Sequence, residues 1–228
     1  MPHISMRRHR LKTFSGLLIT AGILLIALSF GPVILDEIWY KLKQFKNQSY
    51  KLSGDAADDA VADSVFARFL STRPISIEPV NKDFSIVIEK IGVNAPIIAD
   101  VPVADEKAYL EALKGGVAHA ISSKYPSESP GNVYLFAHAS VDFWKMSKYS
   151  KVFNLLRKLE LGDRIHLFYK GKTYVYEVQN KEIYKGWDLY PISRSVVEPV
   201  LTLQTCDPPG TTVNRLVVTS TLVEVKEE

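Results

Sequence analysis

Cysteine is almost absent from this sequence. Cys206 is the single one among 228 residues, so no intrachain disulfide can form and no cysteine-based zinc site can be assembled. An excess of one charge sign is lacking too. Lys and Arg number 28 against 25 Asp and Glu, and a formal net charge of +3 is too small to mark a nucleic-acid binder. With 12 Gly and 12 Pro, collagen-like and low-complexity chains are excluded. There is no internal repeat. What remains is an ordinary globular composition, 46% hydrophobic, of a length that suits one domain with an appendage or two small domains.

The apolar residues are concentrated near the N-terminus. Thr13 to Leu35 is a stretch of 23 residues without a charge. About 20 apolar residues of helix span the hydrocarbon core of a bilayer, so 14–35 is expected to be a transmembrane helix. Arg7, Arg8, Arg10 and Lys12 precede it with no acidic residue. The positive-inside rule then keeps residues 1–13 in the cytoplasm and exports the rest. Trp39 and Tyr40 stand where interfacial aromatic anchors belong. A cleaved signal peptide competes, because Ala27-Leu28-Ser29 is a small-x-small triplet. The apolar run continues to Leu35, however, which is long for a signal-peptide core and favours an uncleaved signal anchor. The tail carries +4 of the net +3, so the exported remainder carries −1. No basic surface is left to explain.

Residues 36–79 read as a juxtamembrane linker. It opens with a short helix over Asp36–Gln48 and contains the Ala/Asp-rich spacer Asp55–Asp63. The folded domain is placed at 80–228. Phe84–Ile91 has strand composition, Gly92–Pro96 reads as a turn, and Asp105–Lys114 reads as a helix capped by Asp105. Asn132–Ala137 is a strand that runs into His138. Lys151–Leu161 is assigned a second helix, with Phe153, Leu155, Leu156 and Leu159 on one face. Arg164–Lys170 and Lys172–Val178 form a hairpin about Gly171. Val200–Cys206 and Arg215–Val225 are strands separated by a Pro/Gly loop. Short strands with two short helices make the fold class mostly β, a barrel or sandwich.

Three residues at strand ends carry the candidate chemistry. Cys206 is either a buried small apolar side chain or a reactive thiol, and its place before Asp207-Pro208-Pro209-Gly210 favours a functional position. A cysteine nucleophile needs a base or cationic partner, since an unperturbed thiol is only a few per cent thiolate at neutral pH. His138, at its own strand end, and His119, after Gly115-Gly116, both qualify. His3 and His9 lie in the tail, and His166 reads as an ordinary strand residue. Arg215 lies across from Cys206 if the two last strands pair as a hairpin, from where a guanidinium can donate to an oxyanion. A solvated edge arginine is the plainer alternative.

At these residues the sequence resembles a known family. TLQTC at Thr202–Cys206, with an arginine nine residues on, is similar to the sortase signature. EKIGVNAPII (Glu89–Ile98), GGVAHA (Gly115–Ala120), GNVYLFAH (Gly131–His138) and FNLLRKLELGDRIHL (Phe153–Leu167) resemble sortase segments in the same order. The resemblance implies an eight-stranded β-barrel with short helices, preceded by the transmembrane anchor. It implies a cysteine transpeptidase on the extracellular face of a Gram-positive-type cell membrane. Such an enzyme cleaves a Leu-Pro-X-Thr-Gly-like sorting signal of surface proteins through a Cys thioester. It then passes the acyl group to a cell-wall precursor or pilin amine. Carried over residue by residue, Cys206 is the nucleophile, His138 the general acid/base and Arg215 the oxyanion stabiliser. His119 becomes structural, while Leu203 and Thr205 are candidates for the substrate groove.

The sequence departs from the family pattern at Ala137-His138-Ala139, where Gly and Arg commonly flank the histidine. It also lacks an Asp-Pro-aromatic lid motif. No cofactor is implied, and Asp55, Asp58, Asp59 and Asp63 match no calcium-ligand loop. The rival readings are an exported cysteine peptidase, an L,D-transpeptidase, or a non-catalytic membrane-tethered binding module.

Overall fold

The computed structural model describes residues 3–46, 48–53, 74–139 and 148–227; the side chains of 3–13, 15, 28–30, 32 and 33 fall outside that description. The first element is a 43-residue helix, α1, His3–Phe45. It contains the stretch expected to span a membrane, part of which lies outside the described side chains. Leu17, Ile19, Ile23 and Ile26 each expose 60% or more of their surface. Among the described residues no helix is long and apolar enough to cross a membrane.

The rest is built from ten strands: β1 Tyr50–Leu52, β2 Ile75–Ile77, β3 Phe84–Ile88, β4 Val93–Val101, β5 Val117–Ala120, β6 Gly131–Phe136, β7 Arg164–Tyr169, β8 Lys172–Lys185, β9 Pro199–Asp207 and β10 Asn214–Glu227. Eight of them close into a barrel in the order β10-β8-β7-β3-β4-β5-β6-β9. The pairs β4–β5 and β6–β9 are parallel, and the other neighbours are antiparallel. Two helices decorate the barrel: α2, Glu106–Gly115, and α3, Tyr190–Ser193.

Local chemistry explains several elements. Every residue of β3 is buried, although a barrel strand usually shows one face to water. The reason is a small sheet laid over its outside. β1 and β2 pair in parallel, and Leu52 and Ile77 cover Val87 and Phe168. The β7–β8 turn places Lys170 at φ 51° and Gly171 at φ 75°. Two positive φ values define the tight turn that matches strand twist, and glycine at the second adopts it without strain. Helix α2 starts where Asp105 accepts a hydrogen bond from the Ala108 N–H at 3.1 Å, the expected cap.

Three expectations are corrected. The turn at Gly92–Pro96 is confined to Gly92, because Val93, Ala95 and Ile97 alternate inward along β4. Lys151–Leu161 is not an α-helix. It is a run of turns with one 3-10 segment, Leu156–Lys158. The residues it buries fully are Phe153, Leu156 and Leu159, a spacing of three that fits a 3-10 periodicity and not 3.6. Residues 36–79 are not only a linker. α1 runs through to Phe45, Tyr40 is buried in the barrel's apolar cluster, and β1 and β2 pack on the barrel wall. The Tyr40 ring is therefore packed against protein. The acidic spacer Asp55–Asp63 lies outside the described residues.

Candidate active site

Strand β9 lies between β6 and β10, and this neighbourhood builds the site. In the parallel β6–β9 ladder Phe136 is level with Gln204. Past the end of this ladder, His138 and Cys206 line the same groove. Hydrogen bonds hold the strand ends together past the ladder. The Ala137 N–H donates to the Gln204 carbonyl at 3.1 Å, and Thr205 Oγ1 donates to the Ala137 carbonyl at 2.9 Å. Beyond Cys206, the Gly210 N–H donates to the Ala139 carbonyl at 2.7 Å, tying the Pro/Gly loop to the segment that carries His138. On the other side, Arg215 sits directly opposite Cys206 in the antiparallel β9–β10 ladder.

The arginine side chain reaches the thiol. Arg215 Nη1 lies 3.6 Å from Cys206 Sγ. The same nitrogen donates to the carbonyls of Thr212 at 3.3 Å and Asn214 at 3.2 Å. The guanidinium is thus positioned by backbone oxygens, and among the described residues no carboxylate forms an ion pair with it. Gly186 helps to set this loop. Its N–H donates to the Val213 carbonyl, and a Cβ at this position would stand 2.2 Å from the Thr212 carbonyl oxygen. Any side chain there would push the loop that feeds Arg215.

Cys206, His138 and Arg215 all border one groove of about 550 Å³. Its walls are apolar: Tyr109 and Leu110 of α2, Phe136 of β6, and Leu189 and Ile192 around α3. Tyr109 stacks on Phe136 with ring centroids 5.2 Å apart and meets the His138 ring edge-on at 6.0 Å. Burial pushes the Cys206 thiol pKa up, and the Arg215 charge opposes that shift. Burial also raises the Tyr109 phenol, helped by the nearby Cys206 and opposed by Arg215. The resting thiol is therefore held mostly protonated, and an adjacent base is needed to make it a nucleophile.

His119, the other histidine candidate, is elsewhere. It is fully buried on β5. Its Nε2 bonds the Lys124 carbonyl and Ser123 Oγ, both at 3.0 Å, and its ring packs against Phe84 and Tyr125. Burial lowers its pKa, which keeps the imidazole neutral. It does not border the groove.

Leu203 and Thr205 do not border it either. They point into the barrel, where Leu203 is fully buried and the Thr205 hydroxyl is spent on Ala137. Strand alternation puts Gln204 on the same face as Cys206, and Gln204 does line the groove, accepting a hydrogen bond from the Tyr134 hydroxyl. Counting by twos from Cys206 finds Gln204 in the sequence. Tyr109 and Leu189 carry no such signal, because only the barrel's closure brings α2 and α3 to this face. Among the described residues, no group of three or more His, Cys, Asp or Glu side chains is placed to hold a metal ion.

The sortase-domain family model matches residues 86–223, most of the chain and all of the barrel's site-bearing strands. The chain belongs to the sortase family. Solved sortases share its architecture. Sortase C-1 from Actinomyces oris superposes with a TM-score of 0.53 at 26% identity, over 64% of this chain and 76% of that one. Listeria monocytogenes sortase A gives 0.52 at 23% identity, over 64% and 89%. A pilus-related sortase C of Group B Streptococcus gives 0.51 at 22% identity, over 76% and 79%. No curated protein matches the chain. The family is one of cysteine transpeptidases, and the only cysteine of this sortase is Cys206.

Proposed function

We propose that this sortase cleaves a Leu-Pro-X-Thr-Gly-like sorting signal between Thr and Gly and transfers the surface protein to a cell-wall or pilin amine. The observation that carries the reading is the Arg215 guanidinium 3.6 Å from Cys206 Sγ, at the floor of a groove that His138 also lines. His138 takes the thiol proton, and the Cys206 thiolate attacks the scissile Thr carbonyl. The carbonyl π electrons move to oxygen, and Arg215 stabilises the oxyanion. On collapse the C–N bond breaks, and protonated His138 gives its proton to the leaving glycyl amine. The thioester on Cys206 is then attacked by the acceptor amine. His138 removes that amine's proton, and Cys206 leaves as thiolate. Gln204 and the apolar walls at Leu110, Leu189 and Ile192 hold the peptide in register.

The same proposal places Phe14–Leu35 as an uncleaved, single-pass anchor, with the N-terminus cytoplasmic and the barrel on the extracellular face. Support comes from the 23-residue uncharged run, the basic residues before it, and the exposed apolar side chains along α1. The test uses the full chain in detergent with a sorting peptide and an amine acceptor. Mass spectrometry should find a peptide thioester on Cys206 in the wild type and none in Cys206→Ala. His138→Ala and Arg215→Ala should each slow its formation at least a hundredfold. A thioester-free enzyme that still transfers peptide, or turnover that survives Cys206→Ala, refutes the mechanism.

A further inference from the structure

The helix that leads out of the expected membrane span docks on the barrel before it ends. Its first two acidic residues, Asp36 and Glu37, are clamped to the segment between the His138 strand end and β7. Asp36 accepts from Lys151 Nζ at 2.9 Å and from Asn154 Nδ2 at 3.2 Å. Glu37 accepts from Arg157 Nη2 and from Lys158 Nζ, the latter at 2.8 Å. One turn on, Tyr40 is buried in the barrel's apolar cluster, with the Lys158 ammonium 5.7 Å from its ring. Asp36 and Glu37 are largely shielded, with side-chain exposures of 20% and 23%. Burial alone would raise the Glu37 pKa, but the hydrogen bonds from Lys158 and Arg157 outweigh it and hold the carboxyl below its ordinary range. Each carboxylate is held by two different donors, and partly shielded pairs of this kind fix geometry better than isolated exposed surface pairs.

The partners of this clamp stand directly behind the reactive strand end. Asn154 and Arg157 line one small pocket of about 10 Å³ together with Thr205, Cys206, Asp207 and Ala139. Asn154 is 2% exposed, and Arg157 Nη1 also donates to the Asn154 carbonyl at 3.1 Å. The chain thus runs from the juxtamembrane turn, through two carboxylates, to two side chains that share a pocket with Cys206 and Ala139. So little free volume separates these side chains from the strand end that a displacement of Arg157 is passed to it.

We propose that Asp36 and Glu37 are positioning residues for the active site: by holding Asn154 and Arg157 against the back of β9, the membrane-proximal turn of α1 sets the placement of Cys206 relative to His138 and Arg215. This rests on the reading of Cys206 as nucleophile. It assigns the anchor helix a part in turnover beyond tethering, and it makes activity sensitive to whether that helix is docked. Misplacement of a reacting group by about 1 Å costs on the order of a hundredfold, so a partial loosening is expected to cost less.

The test uses the full chain in lipid nanodiscs, with the near-isosteric pair D36N/E37Q and the charge exchange E37R, R157E and E37R/R157E. Three quantities are read: kcat and KM with a sorting peptide, the rate of Cys206 alkylation by iodoacetamide, and Tm. D36N/E37Q should lower kcat about 5–20-fold with KM within twofold, and should change the alkylation rate at fixed pH. E37R and R157E should each do the same, and the double exchange should recover kcat to within about threefold of wild type. If D36N/E37Q loses its melting transition, the single E37Q is read by the same criteria. The proposal is overturned if kcat and alkylation are unchanged, if the loss lies in KM alone, or if the double exchange is no better than either folded single variant. Alkylation needs no substrate, so a failed peptide assay in the wild type would count against the sorting-signal reading without touching this one.

Discussion

Arg215→Ala tests the site most directly. The substitution removes a cation 3.6 Å from the thiol and the donor shared by the Thr212 and Asn214 carbonyls. Two consequences follow from different physics. At about 4 Å and an effective dielectric of about 20, two unit charges interact by about 4 kcal/mol. The partly exposed position of both groups reduces that figure, and the charged species it favours are the thiolate and the oxyanion. Loss of one oxyanion donor in a water-excluded site costs about 2.7–4 kcal/mol, or 10²–10³ in kcat. The expected result is therefore a fall in kcat of that size with little change in KM. Arg215→Lys keeps the charge but is a single point donor, unable to satisfy two carbonyls and the oxyanion together, and should recover only part of the loss. Steady-state transpeptidation, with circular dichroism to establish folding, is the assay. A folded Arg215→Ala variant that keeps kcat within threefold of wild type would refute the role assigned here, as would a loss carried wholly by KM.

Three further outcomes are expected. Burial raises the Cys206 thiol pKa despite the opposing Arg215 charge, so iodoacetamide labelling of the folded protein should reach half its limiting rate above the ordinary thiol value of 9.0, and in urea the midpoint should fall back. A midpoint at or below the ordinary value would contradict the buried thiol. His119→Leu should lose about 1–3 kcal/mol of stability, seen as a lower Tm, because the Lys124 carbonyl and Ser123 hydroxyl lose their partner; kcat of the folded fraction should stay within twofold. Because burial depresses the His119 pKa, its stabilising contribution is complete above about pH 6.5 and is lost as pH falls through the folded value, so the variant should show a shallower acid decline in Tm. Asp105→Ala removes the α2 cap and should cost about 0.5–2 kcal/mol in urea unfolding, with a smaller effect on turnover through Tyr109.

What the sequence discloses about this molecule follows from the range of the forces involved. The β9–β10 hairpin was legible because one loop fixes its register, and that register puts Arg215 opposite Cys206. The α2 cap and the turn at Gly171 were legible for the same reason, since their hydrogen bonds and φ values are set within a few residues. The helix expected at Lys151–Leu161 failed because its apolar residues suit two periods, and packing against the barrel selected three over 3.6. That His138 and Cys206 line one groove depends on the parallel β6–β9 pairing, which joins strands more than 60 residues apart and leaves no local mark.

The contacts that described residues of 36–79 make with the barrel leave no mark in the sequence for a related reason. Asp36 and Glu37 are two acids among several near the span, and only their partners more than 110 residues away distinguish them from a solvated face. Alternation is local and separates the two faces of β9: Gln204 shares the groove face with Cys206, and Leu203 and Thr205 are buried on the other. The groove is assembled from α2, β6, α3, β9, β10 and the loops beside them, whose contributions meet only once the barrel closes. Its reactive floor could be read residue by residue, but its walls, and the anchor helix braced behind it, belong to the tertiary structure alone.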